Sequence, residues 1–158
     1  RDGHISVPRD GHFPEQSTGI VDVFEVEALK ANEAPWVYES GGKRIVEVTM
    51  DSGAAVTVVP RGASNAVINP TTKSNCNHFR VANGAKIPNL GEQILAGTTA
   101  NGRGLRFKAQ VADVTKPLAS VQELCDSGCT VTFGPNRSFI RDSRSGKEIE
   151  MRKKMCSS

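Results

Sequence analysis

The sequence lacks several features that would assign the chain to other classes of protein. It has no apolar run of about 18 residues or more, so we predict no membrane span. It also lacks an apolar segment of signal-peptide type at its start, and we expect an intracellular protein. The chain begins with Arg1 and not with Met, which favours a processed product or a fragment of a longer protein.

Cysteine is also sparse, and no two cysteines form a CxxC pair. The four are Cys76, Cys125, Cys129 and Cys156. This density argues against a disulfide scaffold. Cys76, Cys125 and Cys129 could be combined with His78 into a zinc site, but their spacing differs from that of zinc modules. We therefore predict buried free thiols, no metal and no cofactor.

Length and composition bound the number of domains. The 158 residues suffice for one domain with a substantial core. Hydrophobic residues make up 37% and charged residues 23% of the chain. Because this apolar share is below that of an ordinary globular domain, we expect loops or tails outside the core.

The first 19 residues contain a short repeat, in which Arg-Asp-Gly-His occurs at positions 1–4 and again at positions 9–12. Glycine, proline and charged residues dominate this segment, so we predict a flexible N-terminal arm at residues 1–19. A metal site formed by His4 and His12 with Asp2 and Asp10 is an alternative that we do not favour.

Charge is distributed unevenly along the chain, whose formal net charge is +3. Residues 20–60 hold seven acidic and three basic residues, whereas residues 137–154 hold seven basic and three acidic residues. The basic end could contact nucleic acid or an acidic surface. Residues 143–158 contain no aromatic side chain for base stacking, which favours a solvated basic C-terminal tail over a nucleic-acid site.

Apolar and alternating runs predict a mostly β fold. Strands are predicted at residues 20–29, 36–39, 43–50, 56–59, 66–68, 79–82, 85–87, 93–97, 105–114, 129–133, 138–141 and 147–151. The first of them alternates apolar and acidic residues, which favours an edge strand. Gly41-Gly42 and Asn83-Gly84 predict hairpin turns. One helix is predicted after Pro117, from Leu118 to Cys125, with Gly128 just beyond its end.

Asp51 stands between two apolar strands, at the turn Asp51-Ser52-Gly53-Ala54. Gly53 allows a sharp turn, and the small neighbours leave room for another chain to approach. A carboxylate in an apolar setting is costly unless hydrogen bonds or a partner charge stabilise it, and proteins usually accept that cost for chemistry. The alternative is an Asx-type turn in an ordinary hairpin.

Three stretches, in this order, resemble a known family. Asp51-Ser52-Gly53-Ala54 after an apolar strand resembles the active-site loop of retropepsin-like aspartic proteases. Residues 81–92 and 118–133 resemble the flap region and the final helix and strand of copia-type retrotransposon proteases. Many retropepsins carry an apolar pair and a glycine before that helix, whereas this chain has Leu118-Ala119-Ser120.

The resemblance implies a small closed β-barrel of retropepsin (acid protease) type with one short C-terminal helix. The domain would span residues 20–142, between the flexible arm and the basic tail of residues 143–158. Asp126-Ser127-Gly128 repeats the Asp-Ser-Gly sequence of the active-site loop, but no apolar strand precedes it. We therefore expect one catalytic Asp per chain, and not a two-lobed enzyme.

The resemblance also implies a function, that of an aspartic endopeptidase acting as a homodimer on extended polypeptides such as a polyprotein. The catalytic residues would be Asp51, Ser52 and Gly53. The substrate-binding residues would be Ala54, Asn83, Gly84 and Ala85, of which the last three belong to a mobile hairpin over the site. The competing hypothesis is a retropepsin-like fold that serves as a non-catalytic structural or binding subunit of a larger assembly through its arms.

Overall fold

Strands dominate the computed structural model, which describes residues 5–6, 18–24, 34–64, 66–74, 76–81 and 83–153. The elements in chain order are β1 (Ile5–Ser6), β2 (Thr18–Phe24), β3 (Val37–Ser40), β4 (Lys43–Asp51), β5 (Val58–Val59), β6 (His78–Arg80), β7 (Lys86–Pro88), β8 (Gly91–Thr98), β9 (Gly104–Val111), β10 (Leu118–Ser120), α1 (Val121–Asp126), β11 (Cys129–Phe133), β12 (Ser138–Asp142) and β13 (Glu148–Met151). The prediction of a mostly β chain with one short helix is confirmed for the described residues.

The largest sheet contains seven strands in the order β10-β5-β9-β8-β2-β4-β3. Strand β10 also pairs with β4, so it lies between the strand that ends at Asp51 and the strand that follows the Asp51 turn. It runs parallel to β4, with Ser120 opposite Asp51, and antiparallel to β5. Six strands are therefore hydrogen-bonded in a continuous ring, and β3 extends the sheet beyond it.

The core lies against these strands and is built mainly from aliphatic side chains. Val46, Val48 and Met50 are fully buried on one face of β4 and Ile45 is buried on the other, which explains why the apolar residues of this strand occur on both faces. Other fully or nearly fully buried side chains are Val21, Val23, Val59, Leu95, Ala109, Val111, Ala119, Val121 and Val131. The residues before and after the Asp51 turn are thus held by packing on several strands.

A second sheet contains four strands in the order β1-β11-β12-β13. Its last strand is joined to the larger sheet by Arg152, whose backbone exchanges two hydrogen bonds of 2.8 Å with Ile20. Strand β1 lies within the predicted arm, and β13 lies within the predicted tail. The strands therefore continue past residue 142, where we placed the end of the domain.

The prediction of an edge strand near residue 20 is wrong, because β2 lies between β4 and β8. Its acidic residue Asp22 is not turned to an open edge but is paired with Arg152, at 2.9 Å between the carboxylate and Nε. The pairing explains how Asp22, the one charged residue of β2, can lie on a strand in an interior position. Residues 25–29 of the predicted strand lie outside the described residues.

The predicted hairpin of β3 and β4 is confirmed, with Gly41 and Gly42 at φ of 59° and 76°. The predicted strand at residues 66–68 is wrong, since only a single bridge, from Asn69 to Glu92, occurs within the described part of that loop. Helix α1 begins at Val121 and not at Leu118, because residues 118–120 pair as β10. Gly128 follows the helix with φ of 102°, as predicted.

The hairpin of β6 and β7 forms a separate two-stranded sheet. Its reversal runs from Val81 to Ala85, whose backbones are joined by a hydrogen bond of 3.0 Å, and the Gly84 amide donates to the Val81 carbonyl. The predicted two-residue turn at Asn83-Gly84 is therefore wrong. Gly84 has a positive φ, 84°, as in a hairpin with a longer loop.

Candidate active site

Asp51 lies at the end of β4 and is partly exposed. The Gly53 amide donates a 2.8 Å hydrogen bond to Asp51 Oδ1, and the Ala54 amide donates to the Asp51 carbonyl at 3.3 Å. The backbone of Gly53 therefore stays close to the carboxylate. The same bond is that of an Asx turn, so it is compatible with both interpretations of the tetrapeptide.

The junction of β10 and α1 holds the residues that follow Asp51. Ser120 is fully buried, and its hydroxyl donates to the Ala54 carbonyl at 2.9 Å while it accepts from the Glu123 amide at 3.1 Å. The Ser120 amide donates to Thr57 Oγ1 at 2.9 Å, and Glu123 Oε1 accepts from the Thr57 amide at 2.6 Å. One serine therefore caps the helix and fixes the Asp51 turn.

These anchoring residues were missed by sequence reasoning. A serine followed three residues later by a glutamate, as in Ser120 and Glu123, is a capping-box signal that could have located the start of the helix. In the usual box the glutamate would accept from the cap amide, but here Thr57 takes that bond and Glu123 binds the Thr57 backbone instead. The contact with Thr57 depends on strand pairing and leaves no local signal.

A groove of about 880 Å³ separates the Asp51 turn from the β6–β7 hairpin. Its lining residues are Gly53, Ala54, Ala55, Val56, Val58, Cys76, His78, Phe79, Arg80, Val81, Asn83, Ile87, Asp113, Val114, Thr115 and Leu118. Of the predicted site residues, Gly53 and Ala54 lie on one wall and Asn83 lies on the hairpin. Asp51, Ser52, Gly84 and Ala85 are not among the lining residues.

The hairpin presents two different faces. Phe79 and Ile87 are directly opposed across the two strands, are partly buried and line the groove. Arg80 and Lys86 are opposed on the other face and are exposed. Because side chains alternate along a strand, one face is apolar and the other carries positive charge. Phe79, Ile87 and Arg80 all line the groove, so both faces contribute to this wall.

The base of the hairpin is attached to the large sheet by a polar network. The Asn89 amide donates to the Asn77 carbonyl at 2.8 Å, and the Asn89 side chain donates to the Cys76 carbonyl at 2.7 Å and to Gln110 Oε1 at 3.0 Å. Gln110 is fully buried and donates to Glu92 Oε2 at 3.2 Å. The base is therefore fixed, while the tip near Gly84 makes contacts only within the hairpin among the hydrogen bonds of the described residues.

Glu92 is a buried acid within this network, with 5% of its surface exposed. Burial by itself would raise the pKa of its carboxyl group. Hydrogen bonds from the Thr72 backbone, the Gln110 side chain and the Thr72 hydroxyl, together with the charge of Lys108, outweigh burial and lower the pKa to about 2. Glu92 is therefore ionised at neutral pH and anchors the hairpin base through charge-assisted hydrogen bonds.

The other candidate sites of the sequence receive no geometric support. Among the described residues, no three His, Cys, Asp or Glu side chains are grouped so that they could hold a metal ion. Cys76, Cys125 and Cys129 are free and partly buried, and burial raises the pKa of the Cys125 and Cys129 thiols. Cys156 and the residues Asp2, His4, Asp10 and His12 lie outside the described residues.

Asp126 lies at the end of α1, where it is exposed and accepts a 3.0 Å hydrogen bond from Gln122. It does not line the groove. The second Asp-Ser-Gly sequence is thus the end of a helix, a different setting from the turn after β4.

No helix in the described part of the chain is long and apolar enough to cross a membrane. A comparison with known proteins found that no protein-family model, no curated protein and no solved structure matches this chain.

Proposed function

We propose that the chain is a retropepsin-like aspartic endopeptidase domain of a copia-type retrotransposon polyprotein, and that it acts as a homodimer. The observation that carries the proposal is the Asp51 turn itself. It is anchored by Ser120 and Thr57, it follows a buried strand, and the groove beside it has a hairpin as its opposite wall. A surface hairpin with an ordinary Asx turn would not need this support.

The ring of six strands supports the finer fold assignment, a small closed β-barrel. Strand β10, the segment before the helix, lies between β4 and β5 and so packs beside the Asp51 turn. Ser120 occupies the place where many retropepsins have glycine. Because its hydroxyl bonds the Ala54 carbonyl, the serine joins the two segments by a side-chain bond.

In the proposed mechanism, two Asp51 carboxylates face each other across a two-fold axis, one from each subunit. They lie too close for both to ionise, so they share one proton. The ionised member acts as a general base on a water molecule, and the protonated member polarises the scissile carbonyl. Ser52 bonds across the dimer, and the Gly53 amide orients its own Asp51 carboxylate at 2.8 Å.

The substrate in this proposal is an extended polypeptide that lies in the groove under the β6–β7 hairpin. An extended chain satisfies its backbone hydrogen bonds against neighbouring strands or loops, while alternate side chains enter pockets on either side. The small side chains of Ala54 and Ala55 leave room for the substrate beside the Asp51 turn, and Phe79 and Ile87 offer apolar contact from the hairpin.

The test is the variant Asp51→Asn, with Asp126→Asn as the matched control. We expect Asp51→Asn to keep the fold and to abolish cleavage, because it removes both the base and the acid of the site. Asp126→Asn should cleave at the parent rate, since Asp126 is an exposed helix-end residue. The cleavage rates of both variants are measured on a peptide library from acid to neutral pH, with mass spectrometry to identify the products.

Cleavage that persists in Asp51→Asn would contradict the peptidase assignment, and equal losses in both variants would support a two-lobed arrangement instead. Sedimentation at micromolar concentration gives the oligomeric state. A parent chain that stays monomeric and cleaves nothing would favour the non-catalytic subunit.

A further inference from the structure

We infer that Asp113 selects substrates with a basic side chain, and that the two-fold axis repeats this preference on both sides of the scissile bond. The inference rests on the proposed function. Asp113 follows β9, is exposed, and lines the groove next to Val114, Thr115 and Leu118. Nothing in the sequence singled it out.

The backbone around Asp113 is fixed on both sides. The preceding residue, Ala112, is fully buried, and its amide donates to the Val59 carbonyl at 3.1 Å. The following amide, that of Val114, donates back to the Ala112 carbonyl at 2.8 Å. A turn held in this way presents its central side chain in one place, which is what a specificity residue needs.

The charge of Asp113 has no neutralising partner among the described residues. Among the described residues that line the groove it is the only acidic one. No hydrogen bond or ion pair joins its carboxylate to another of the described residues, and nearby Lys116 makes no ion pair with it. The other side chains on its wall are apolar or neutral, namely Val114, Thr115 and Leu118.

The hairpin wall has the opposite sign. Among its lining residues Arg80 is positively charged and exposed, and its guanidinium donates to the Gly84 carbonyl at 3.1 Å. A lysine or arginine side chain in the groove would therefore be repelled from the hairpin and attracted to Asp113. Its aliphatic stem can pack on Val114 and Leu118 while the charged end reaches the carboxylate.

The two-fold symmetry of the proposed homodimer adds a second expectation about the substrate. In a homodimer each subunit contributes one Asp113, so the complete groove carries two of these carboxylates related by the two-fold axis. An extended substrate that crosses the axis meets one before and one after the scissile bond. The preferred sequence should thus have basic residues at two positions equally far from the cleaved bond, with apolar residues between them.

The test compares the parent chain with Asp113→Asn, Asp113→Lys and the control Asp126→Lys on the same peptide library. The parent should favour Lys or Arg over norleucine by about fivefold at each of two symmetric positions, as expected for a partly exposed charge pair. Asp113→Asn should lose this preference and still cleave, Asp113→Lys should prefer Asp or Glu there, and Asp126→Lys should match the parent. Raising the salt concentration should weaken the parent preference.

The outcomes separate this inference from the proposed function. Cleavage by the parent without a basic preference, or with the same preference in Asp113→Asn, would overturn the inference and leave the peptidase assignment intact. If the parent cleaves nothing, the assignment fails, and the inference is decided by fluorescence anisotropy with labelled peptides that carry lysine or norleucine. Equal affinity of the two peptides, or tighter binding of the lysine peptide that survives Asp113→Asn, would then overturn it as well.

Discussion

The ionisation of Glu92 makes the stability of the hairpin base depend on pH. Its pKa is lowered to about 2 in the folded chain, from 4.5 as the ordinary value. A group with a lowered folded-state pKa contributes stability above its unfolded value, and this contribution is lost as the pH falls towards the folded value. For Glu92 the window is from about pH 4.5 down to about pH 2.

We expect Glu92→Gln to lower the free energy of unfolding by about 1–3 kcal/mol at neutral pH, because Thr72, Gln110 and Lys108 lose a charged partner. The difference from the parent should shrink as the pH falls below 4.5, since Glu92 of the unfolded parent then binds a proton that the folded parent does not bind until about pH 2. Urea unfolding in a series of buffers measures both, and Glu39→Gln on exposed β3 is the control. A difference independent of pH would contradict the assigned ionisation.

Among single residues, the sequence could indicate Asp51, Ser52 and Gly53 as candidate site residues, because a carboxylate after an apolar strand is a local pattern. It could not indicate the residues that hold the turn. Thr57 and Ser120 are 63 positions apart, and they meet only because β10 pairs between β4 and β5. Asp113 was hidden for the same reason, since its place in the groove depends on where β9 ends.

The β6–β7 hairpin is the element on which the substrate-binding proposal depends, and Gly84 is the residue that shapes its tip. A side chain at Gly84 would meet no atom within 4 Å, so a substitution there strains the backbone without a steric clash. Gly102, in the reversal between β8 and β9, has a similar φ, 79°, and equally open surroundings. It is therefore a matched control.

We expect Gly84→Val and Gly102→Val to destabilise the fold by similar, modest amounts, about 1–2 kcal/mol each, because both force a β-branched residue to positive φ. Only Gly84→Val should reduce cleavage, by disturbing closure of the hairpin over the substrate. Thermal unfolding and kcat/KM for one peptide measure the two effects. Equal cleavage by the two variants would mean that the hairpin is not a lid.

The individual elements show which sequence patterns are decisive. Strand β11 occurs at the predicted residues because β-branched side chains and glycine on either side bound it clearly. The start of α1 was placed three residues too early, since Leu118 and Val121 have helical spacing. Pairing of Leu118–Ser120 with two strands overrides that spacing, and no local pattern contains this information.

For the whole molecule, composition and periodicity are enough to predict a mostly β chain with one short helix. The order of the strands was not predictable, because the ring depends on contacts between distant segments. Its closing strand, β10, joins residues that are 66 positions apart at the Ser120–Ala54 hydrogen bond. By contrast, β8 and β9 are joined by a short reversal and pair over eight positions.

This contrast has a kinetic consequence, because closing a long loop costs more chain entropy than closing a short one. We expect the β8–β9 hairpin to form early in folding. The pairing of β10 with β4 and β5 should form after the rate-limiting step. Ser120→Ala should then accelerate unfolding and leave the folding rate nearly unchanged, whereas Leu95→Ala, within the β8–β9 core, should slow folding. Stopped-flow rates over a range of urea concentrations measure both, and a slowed folding rate in Ser120→Ala would contradict the order.

If the order holds, the Asp51 turn is assembled only in the last step, when β10 enters between β4 and β5. A nascent or partly folded chain would then contain most of its strands and no site. In the peptidase that we propose, cleavage would begin only after this last step, so a partly folded copy of the domain would not cut its own polyprotein during synthesis.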